Sequence, residues 1–289
     1  MSRVSGSLPA AVLMALGEPP EPERGHVPAN GLSYATRSWG DPDAPVLLLI
    51  HGVTSTSRIW WRIGPALAAG LERRVVAIDQ AGHGETSGWL GHHRFRDNAA
   101  DLVRLVEAAG WRRADLRVVG HSWGAMTAAW FPALGLVPEV LVLLDPPAVP
   151  VVVMATMLDD PIERHFDGAD EAIAALGPLN PTWGWGDVIA KAEGLATFDL
   201  EAVKAVLLEN GDWDGGVAAL SEPAAAGAVV RWVRGDPLAG GLLPDPVAKA
   251  IERRFGPGAV RTITAGAHSP MRASAEATTL ALLEALTPD

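Results

Sequence analysis

The chain contains no cysteine. Disulfides, thiolate metal sites and a cysteine nucleophile are therefore excluded, and nothing asks for an oxidising compartment. Positive charge is also scarce, with 23 Lys and Arg against 34 Asp and Glu, a net charge of −11. No block of Lys or Arg makes a phosphate-binding stripe, so no nucleic-acid partner is expected. No apolar stretch approaches the roughly 20 residues of a membrane-spanning helix, and no membrane partner is expected either. Leu8 to Gly17 is apolar and follows Arg3, a faint signal-peptide pattern. It leads into Glu18-Pro19-Pro20-Glu21-Pro22-Glu23 with no small-residue cleavage site. The expectation is a short helix packed on the domain and a cytoplasmic location. Internal repeats and low-complexity linkers are missing too. What is present is 289 residues, 48% of them hydrophobic, enough for one α/β domain with an insertion.

Strand and helix signals alternate through the first half. Gly31 to Trp39 predicts a strand. Val46 to Ile50 is continuously apolar, as a parallel strand buried on both faces should be. Ile59 to Gly70 is helix-like, Arg74 to Ile78 strand-like, Ala81 to Gly88 a Gly-rich loop, and Phe95 to Ala109 has apolar residues at helical spacing. Leu116 to Val119 and Val140 to Leu144 are further strands. From about Ala148 to Pro223 the chain is mostly helix-like. Ala228 to Val233 resumes as strand, Val247 to Phe255 as helix, Ala259 to Ile263 as strand, and Ala273 to Leu286 as helix. Alternation interrupted once and then resumed predicts an α/β fold, a doubly wound and mostly parallel sheet with a helical insertion. The division is 1–147 and 224–289 for the core and 148–223 for the insertion.

Gly120-His121-Ser122-Trp123-Gly124 lies between the strand at Leu116 to Val119 and a helix-like run. A serine there sits on a sharp strand-to-helix turn with its hydroxyl exposed, as a nucleophile requires. A serine hydroxyl needs a base, usually histidine. His268 follows the last predicted strand, on the same carboxyl edge of the sheet as Ser122. His121 adjoins the nucleophile and should point away from it. His83 and the pair His92-His93 read as loop residues, and no third ligand at suitable spacing makes that pair a metal site. An acid should orient the base, and Asp145 and Asp236 both end predicted strands just before a proline. Asp245 is a weaker third choice. Two backbone N–H groups are needed to hold an oxyanion. Trp123 supplies one, and Val53, in the loop after Val46 to Ile50, is the best second donor.

Together these residues resemble the α/β-hydrolase superfamily over nearly the whole chain. His51-Gly52 matches its oxyanion loop. Asp79 to Ser87 matches its D-x-x-G-x-G-x-S segment, and Gly120 to Gly124 its nucleophile elbow. Gly266-Ala267-His268 is similar to its histidine loop, with Ala267 in place of a glycine. The resemblance implies a Ser-His-Asp hydrolase without cofactor or metal. The family's usual acid position falls on Leu238, two residues after Asp236. Some relatives, certain lactonases among them, take the acid from the preceding strand end, which implies Asp145, with Asp236 the alternative. Haloalkane dehalogenases and epoxide hydrolases resemble the chain at the tryptophan and glycine of the elbow but use Asp where Ser122 stands.

The resemblance also implies that 148–223 forms a cap over the serine. Trp183, Trp185 and Trp213 in that segment are candidates for an apolar substrate pocket or for packing the cap on the core. Its few cations, Arg164, Lys191 and Lys204, argue against a strongly anionic substrate. The expected activity is hydrolysis of a carboxylic ester or lactone of a small, largely apolar molecule. Amide, peptide or carbon–carbon bond hydrolysis is the alternative. An amine-terminated substrate would then meet carboxylates such as Asp159, Asp160, Glu163 or Asp167. A ligand-binding protein on the same fold is the reading from a different class. The sequence leaves the oligomeric state open.

Overall fold

The computed structural model describes residues 2–3, 6–86 and 88–287. Ser87, the last residue of the D-x-x-G-x-G-x-S segment, lies outside them. Nine strands among the described residues make one sheet. In chain order they are β1 (Ser2–Arg3), β2 (Glu23–Ala29), β3 (Leu32–Trp39), β4 (Val46–Ile50), β5 (Arg74–Ile78), β6 (Arg117–His121), β7 (Val140–Leu144), β8 (Val230–Gly235) and β9 (Val260–Ile263). Across the sheet the order is β1-β9-β8-β7-β6-β4-β5-β3-β2, and only the β5–β3 and β3–β2 pairs are antiparallel.

Strands β4 and β7 are apolar at every position because helices cover both faces. Successive side chains alternate between the two layers. Leu48, Ile50, Val76, Ile78, Val118, Leu141 and Leu143 pack with residues of helices Phe95–Ala108 and Asp245–Phe255. Leu47, Leu49, Val75, Ala77, Val119, Val142 and Leu144 pack with residues of helices Ile63–Leu71 and Ala275–Leu286. The apolar run near the N-terminus forms the helix Ala10–Gly17, whose Val12 and Leu16 pack with Ala66. No helix among the described residues is long and apolar enough to cross a membrane. Two strands, β1 and β2, escaped the sequence reading. Residues 23–29 pair with β3 as a hairpin, closed by Asn30 and Gly31 at φ 54° and 77°. Asn-Gly at a two-residue turn is the local signal for it.

Between β7 and β8 the chain forms helices Val151–Ala155, Ala169–Leu179, Trp185–Thr197, Leu200–Leu208 and Val217–Leu220. Met154, Phe166, Leu176, Val188, Leu195, Phe198 and Val206 form an apolar cluster that also takes in Val53, Trp123 and Met126 from the sheet's carboxyl edge. Helix Trp185–Thr197 docks closely on residues 54–61. A Cβ on Gly194 would lie 2.8 Å from the Thr54 carbonyl oxygen. Asp187 accepts from the Trp61 Nε1–H at 2.9 Å, and Arg58 pairs with Glu193 at 2.6 Å.

The sheet winds outward from β4, with β5 on one side and β6 on the other. Loops at such a switch point leave a crevice at the carboxyl ends of the strands. Three histidines are buried around it: His51, His83 and His121, none more than 3% exposed. His51 donates from Nδ1 to the Gly52 carbonyl (2.7 Å) and accepts at Nε2 from the Gln80 N–H (2.9 Å). His83 Nδ1 donates to the Ala81 carbonyl (3.2 Å), and His121 Nε2 to the His268 carbonyl (2.8 Å). Burial holds His51 down to about 4 and His83 to about 3, and pushes His121 well below the ordinary range. All three stay neutral at pH 7.

An unfolded histidine takes up its proton near pH 6.5, whereas these buried rings do not. The unfolded state therefore binds more protons as pH falls below about 6.5, and stability drops with it, by up to about 1.4 kcal/mol per pH unit for each ring. Urea midpoints measured from pH 7 down to pH 5 should fall steeply. His83→Phe should flatten that slope by the share of one ring, and an unchanged slope would mean that the native His83 already carries the proton.

Candidate active site

Ser122 directly follows β6 and has φ 53° and ψ −119°, a backbone conformation that costs an L-residue on the order of 1–3 kcal/mol. Its surroundings impose it. The Ser122 N–H donates to the Leu144 carbonyl (3.0 Å), and its own carbonyl accepts from Ala125 and Met126 (3.0 and 3.1 Å). The helix starting at Trp123 then crosses the end of β4 at very short range. A Cβ on Gly124 would lie 2.5 Å from the carbonyl oxygens of Ile50 and His51, and one on Gly120 2.3 Å from the Gly124 oxygen. No side chain fits at either glycine.

His268, in the loop after β9, reaches two partners. Its Nε2 is 2.9 Å from Ser122 Oγ and its Nδ1 is 2.7 Å from Asp145 Oδ2. Asp145 is fully buried at the end of β7. It also accepts from the Gly235 N–H (2.9 Å) and the Leu242 N–H (3.0 Å), so its carboxylate is fixed on three sides. Because Oδ2 is an acceptor, Nδ1 carries the proton and Nε2 is left to accept from the serine. His121 does not simply turn away from Ser122. Its ring lies 5.1 Å from that of His268 and holds the carbonyl of the same loop.

The alternative acids lie elsewhere. Asp236 accepts from the Leu238 N–H (2.9 Å) and caps the short turn Pro237–Ala239. Its residue type fits the Asp-Pro turn, and no contact joins it to His268 among the described residues. Asp245 pairs with Arg234 at 2.6 Å. His92 and His93 diverge, one to Asp101 (2.5 Å) and the other to Glu209 (2.8 Å).

The backbone N–H groups of Val53 and Trp123 have no acceptor among the described residues. Their loops touch, since a Cβ on Gly52 would lie 2.9 Å from the Ser122 Cβ. Thr54, the next residue, has φ 55° and is anchored from the helical segment. Lys191 Nζ donates to its hydroxyl (3.0 Å) and carbonyl (3.3 Å) and pairs with Glu163. The Thr54 hydroxyl in turn lies 2.6 Å from Glu163 Oε2 and 2.7 Å from the Val53 carbonyl, and its single proton serves one at a time. Burial pushes Glu163 up, but the charge and hydrogen bond of Lys191 outweigh it and hold the carboxyl below its usual range. Burial lowers Lys191, with Glu163 opposing. The sequence reading named both residues without joining them. They are 28 positions apart on different elements, and no local pattern links them.

The three tryptophans separate. Trp213 is buried edge-on against Phe95, ring centres 4.8 Å apart, so it packs the helical segment. Trp185 is 64% exposed at the start of its helix. Trp183 is half-buried, with the Arg272 guanidinium 4.8 Å above its ring.

A family model described as alpha/beta hydrolase fold matches residues 45–187. Epoxide hydrolase B of Mycobacterium tuberculosis is 38% identical over 93 residues, 32% of this chain and 25% of that protein. Protein phosphatase methylesterase 1 of Mus musculus is 34% identical over 101 residues, 34% of this chain and 26% of that one. The matched segments thus span about a quarter of these curated relatives. Among solved structures, the thioesterase domain from the curacin biosynthetic pathway superposes with a TM-score of 0.69 at 22% identity, covering 92% of this chain and 99% of that one. With the family model on β4 to β7 and the strained serine turn, and the same architecture over the rest, the chain belongs to the α/β-hydrolase superfamily.

Proposed function

We propose that this hydrolase-family chain is a serine hydrolase cleaving a carboxylic ester or lactone of a small, largely apolar substrate. The observation that carries the reading is His268 bridging Ser122 and Asp145 at 2.9 and 2.7 Å. His268 takes the Ser122 proton as Oγ attacks the carbonyl carbon. Asp145 holds the ring in the tautomer that can accept it and steadies the imidazolium that forms. The Val53 and Trp123 N–H groups hold the tetrahedral oxyanion. His268 then protonates the leaving alkoxide, which departs and leaves an acyl-serine. A water molecule, deprotonated by the same ring, releases the acid.

Ser122 favours this chemistry over that of the epoxide hydrolases among the relatives, for which the family resemblance implies Asp at the elbow. The name of the methylesterase agrees with an ester substrate. In this reading 148–223 is a cap over a core of 1–147 and 224–289. Its apolar cluster with Val53, Trp123 and Met126 supplies the lining for an acyl group.

Ser122→Ala should abolish hydrolysis of short 4-nitrophenyl esters and lactones, together with labelling by a fluorophosphonate probe. Turnover that survives this change would sink the proposal. Asp145→Asn should lower kcat by about ten-thousand-fold, since the imidazole loses its tautomer, whereas Asp236→Asn should have little effect. Steady-state kinetics on the same ester separate the two; comparable losses would remove Asp145 from its role.

A further inference from the structure

Around Arg272, in the segment that follows His268, the charges do not balance. Three cations and two carboxylates meet where the helical segment rests on the loops after β4 and β9: Lys191, Arg62 and Arg272, with Glu163 and Asp187. Lys191 has Glu163, and Arg62 has Asp187 at 3.4 Å. Asp160 accepts from the Ile162 N–H (2.8 Å) and adds only a weak field at Lys191. Arg272 is left over. It is 8% exposed and forms no ion pair with a carboxylate of the described residues. Its Nε–H is buried without an acceptor, and among the described residues its side chain's one hydrogen bond runs 3.4 Å to the Ser269 hydroxyl.

A guanidinium is costly to bury unless something negative meets it. Burial lowers the Arg272 pKa, and the fields of Glu163 and Asp187 only partly oppose this. The position is as telling as the charge. Arg272 lies four residues after His268, and its charge acts on His121, whose ring stands against His268. The guanidinium carbon lies over the Trp183 ring, 4.8 Å from its centre. That contact holds the cation without using its N–H groups, whose fork suits a two-pronged contact with a carboxylate.

We propose that Arg272 receives a carboxylate carried by the substrate, so that Ser122 acts on a monoanionic ester or lactone rather than a neutral one. This rests on the hydrolase reading above and narrows its substrate class. The apolar lining of Val53, Trp123 and Met126 suits the carbon chain between the carboxylate and the scissile carbonyl. The sequence reading looked for cations within 148–223 and found too few. The cation that matters is on the histidine loop, and only the fold brings it under that segment.

The test compares mono(4-nitrophenyl) glutarate with 4-nitrophenyl pentanoate, esters of equal acyl length that differ in one terminal carboxylate. The wild type should favour the glutarate ester in kcat/KM by about 10- to 100-fold, mostly through KM. Arg272→Met should bring that ratio to about one, and Arg272→Lys, which keeps the charge but not the fork, should restore part of it. Absence of a preference in the wild type would overturn the proposal. So would an unchanged ratio in Arg272→Met, or equal losses on both esters, which a merely structural role would give. Calorimetry with free glutarate reads the site without turnover. If neither ester is hydrolysed, the hydrolase reading fails on these substrates. Glutarate binding that Arg272→Met removes would still support the anion site, and no binding by the wild type would overturn it.

Discussion

The helix that begins at Trp123 crosses the end of β4 closely enough that Gly124 almost touches the Ile50 and His51 carbonyl oxygens. Much else follows from that contact. It forces Ser122 into its strained turn and brings the loop of Gly52 and Val53 against the serine. It thus sets two backbone N–H groups beside one hydroxyl. The close crossing needs glycines on the helix side and a straight, fully buried β4 on the other, and the apolar run Val46 to Ile50 supplies the latter.

Many polar groups around that crossing are buried, and the ones that shape the site have specific partners. Asp145 is held inside by three donors. His51, His83 and His121 stay neutral, and His51 and His121 also fix loops to one another. Lys191 and Glu163 tie the helical segment to Thr54, so the loop carrying the Val53 N–H is held from both sides of the crevice. Arg272 departs from this pattern, with its charge buried and no carboxylate paired to it.

The sequence was most legible where one residue type has one physical use. The continuous apolar run Val46 to Ile50 read as a strand covered on both faces, and the four strand signals between residues 46 and 144 proved to be β4 to β7 within a residue or two at either end. A serine between two glycines at a strand end marked the turn, and His268 stood on the same edge. Asp145 and Asp236 were harder to separate because both end a strand before a proline. Strand order divides them. Asp145 ends β7, next to β6, where it meets the histidine, and β8 turns its Gly235 N–H toward that carboxylate. Asp236, one strand further out, caps its own turn.

The hairpin at 23–29 had a local signal in Asn30-Gly31 that polar and proline-rich surroundings obscured. For Lys191, Glu163 and Arg272 no local signal existed. Pairings join positions 54, 163 and 191, with the charge of Arg272 acting on Glu163, and a side chain's charge acquires a partner only when distant elements are packed together. By itself the sequence determined the parallel sheet, its helical interruption and the serine and histidine on one edge, because periodicity and turn chemistry are local. The tertiary structure alone decided which aspartate meets the histidine, what anchors the loop after β4 and which cation lacks an anion, because these depend on which strand ends and loops become neighbours.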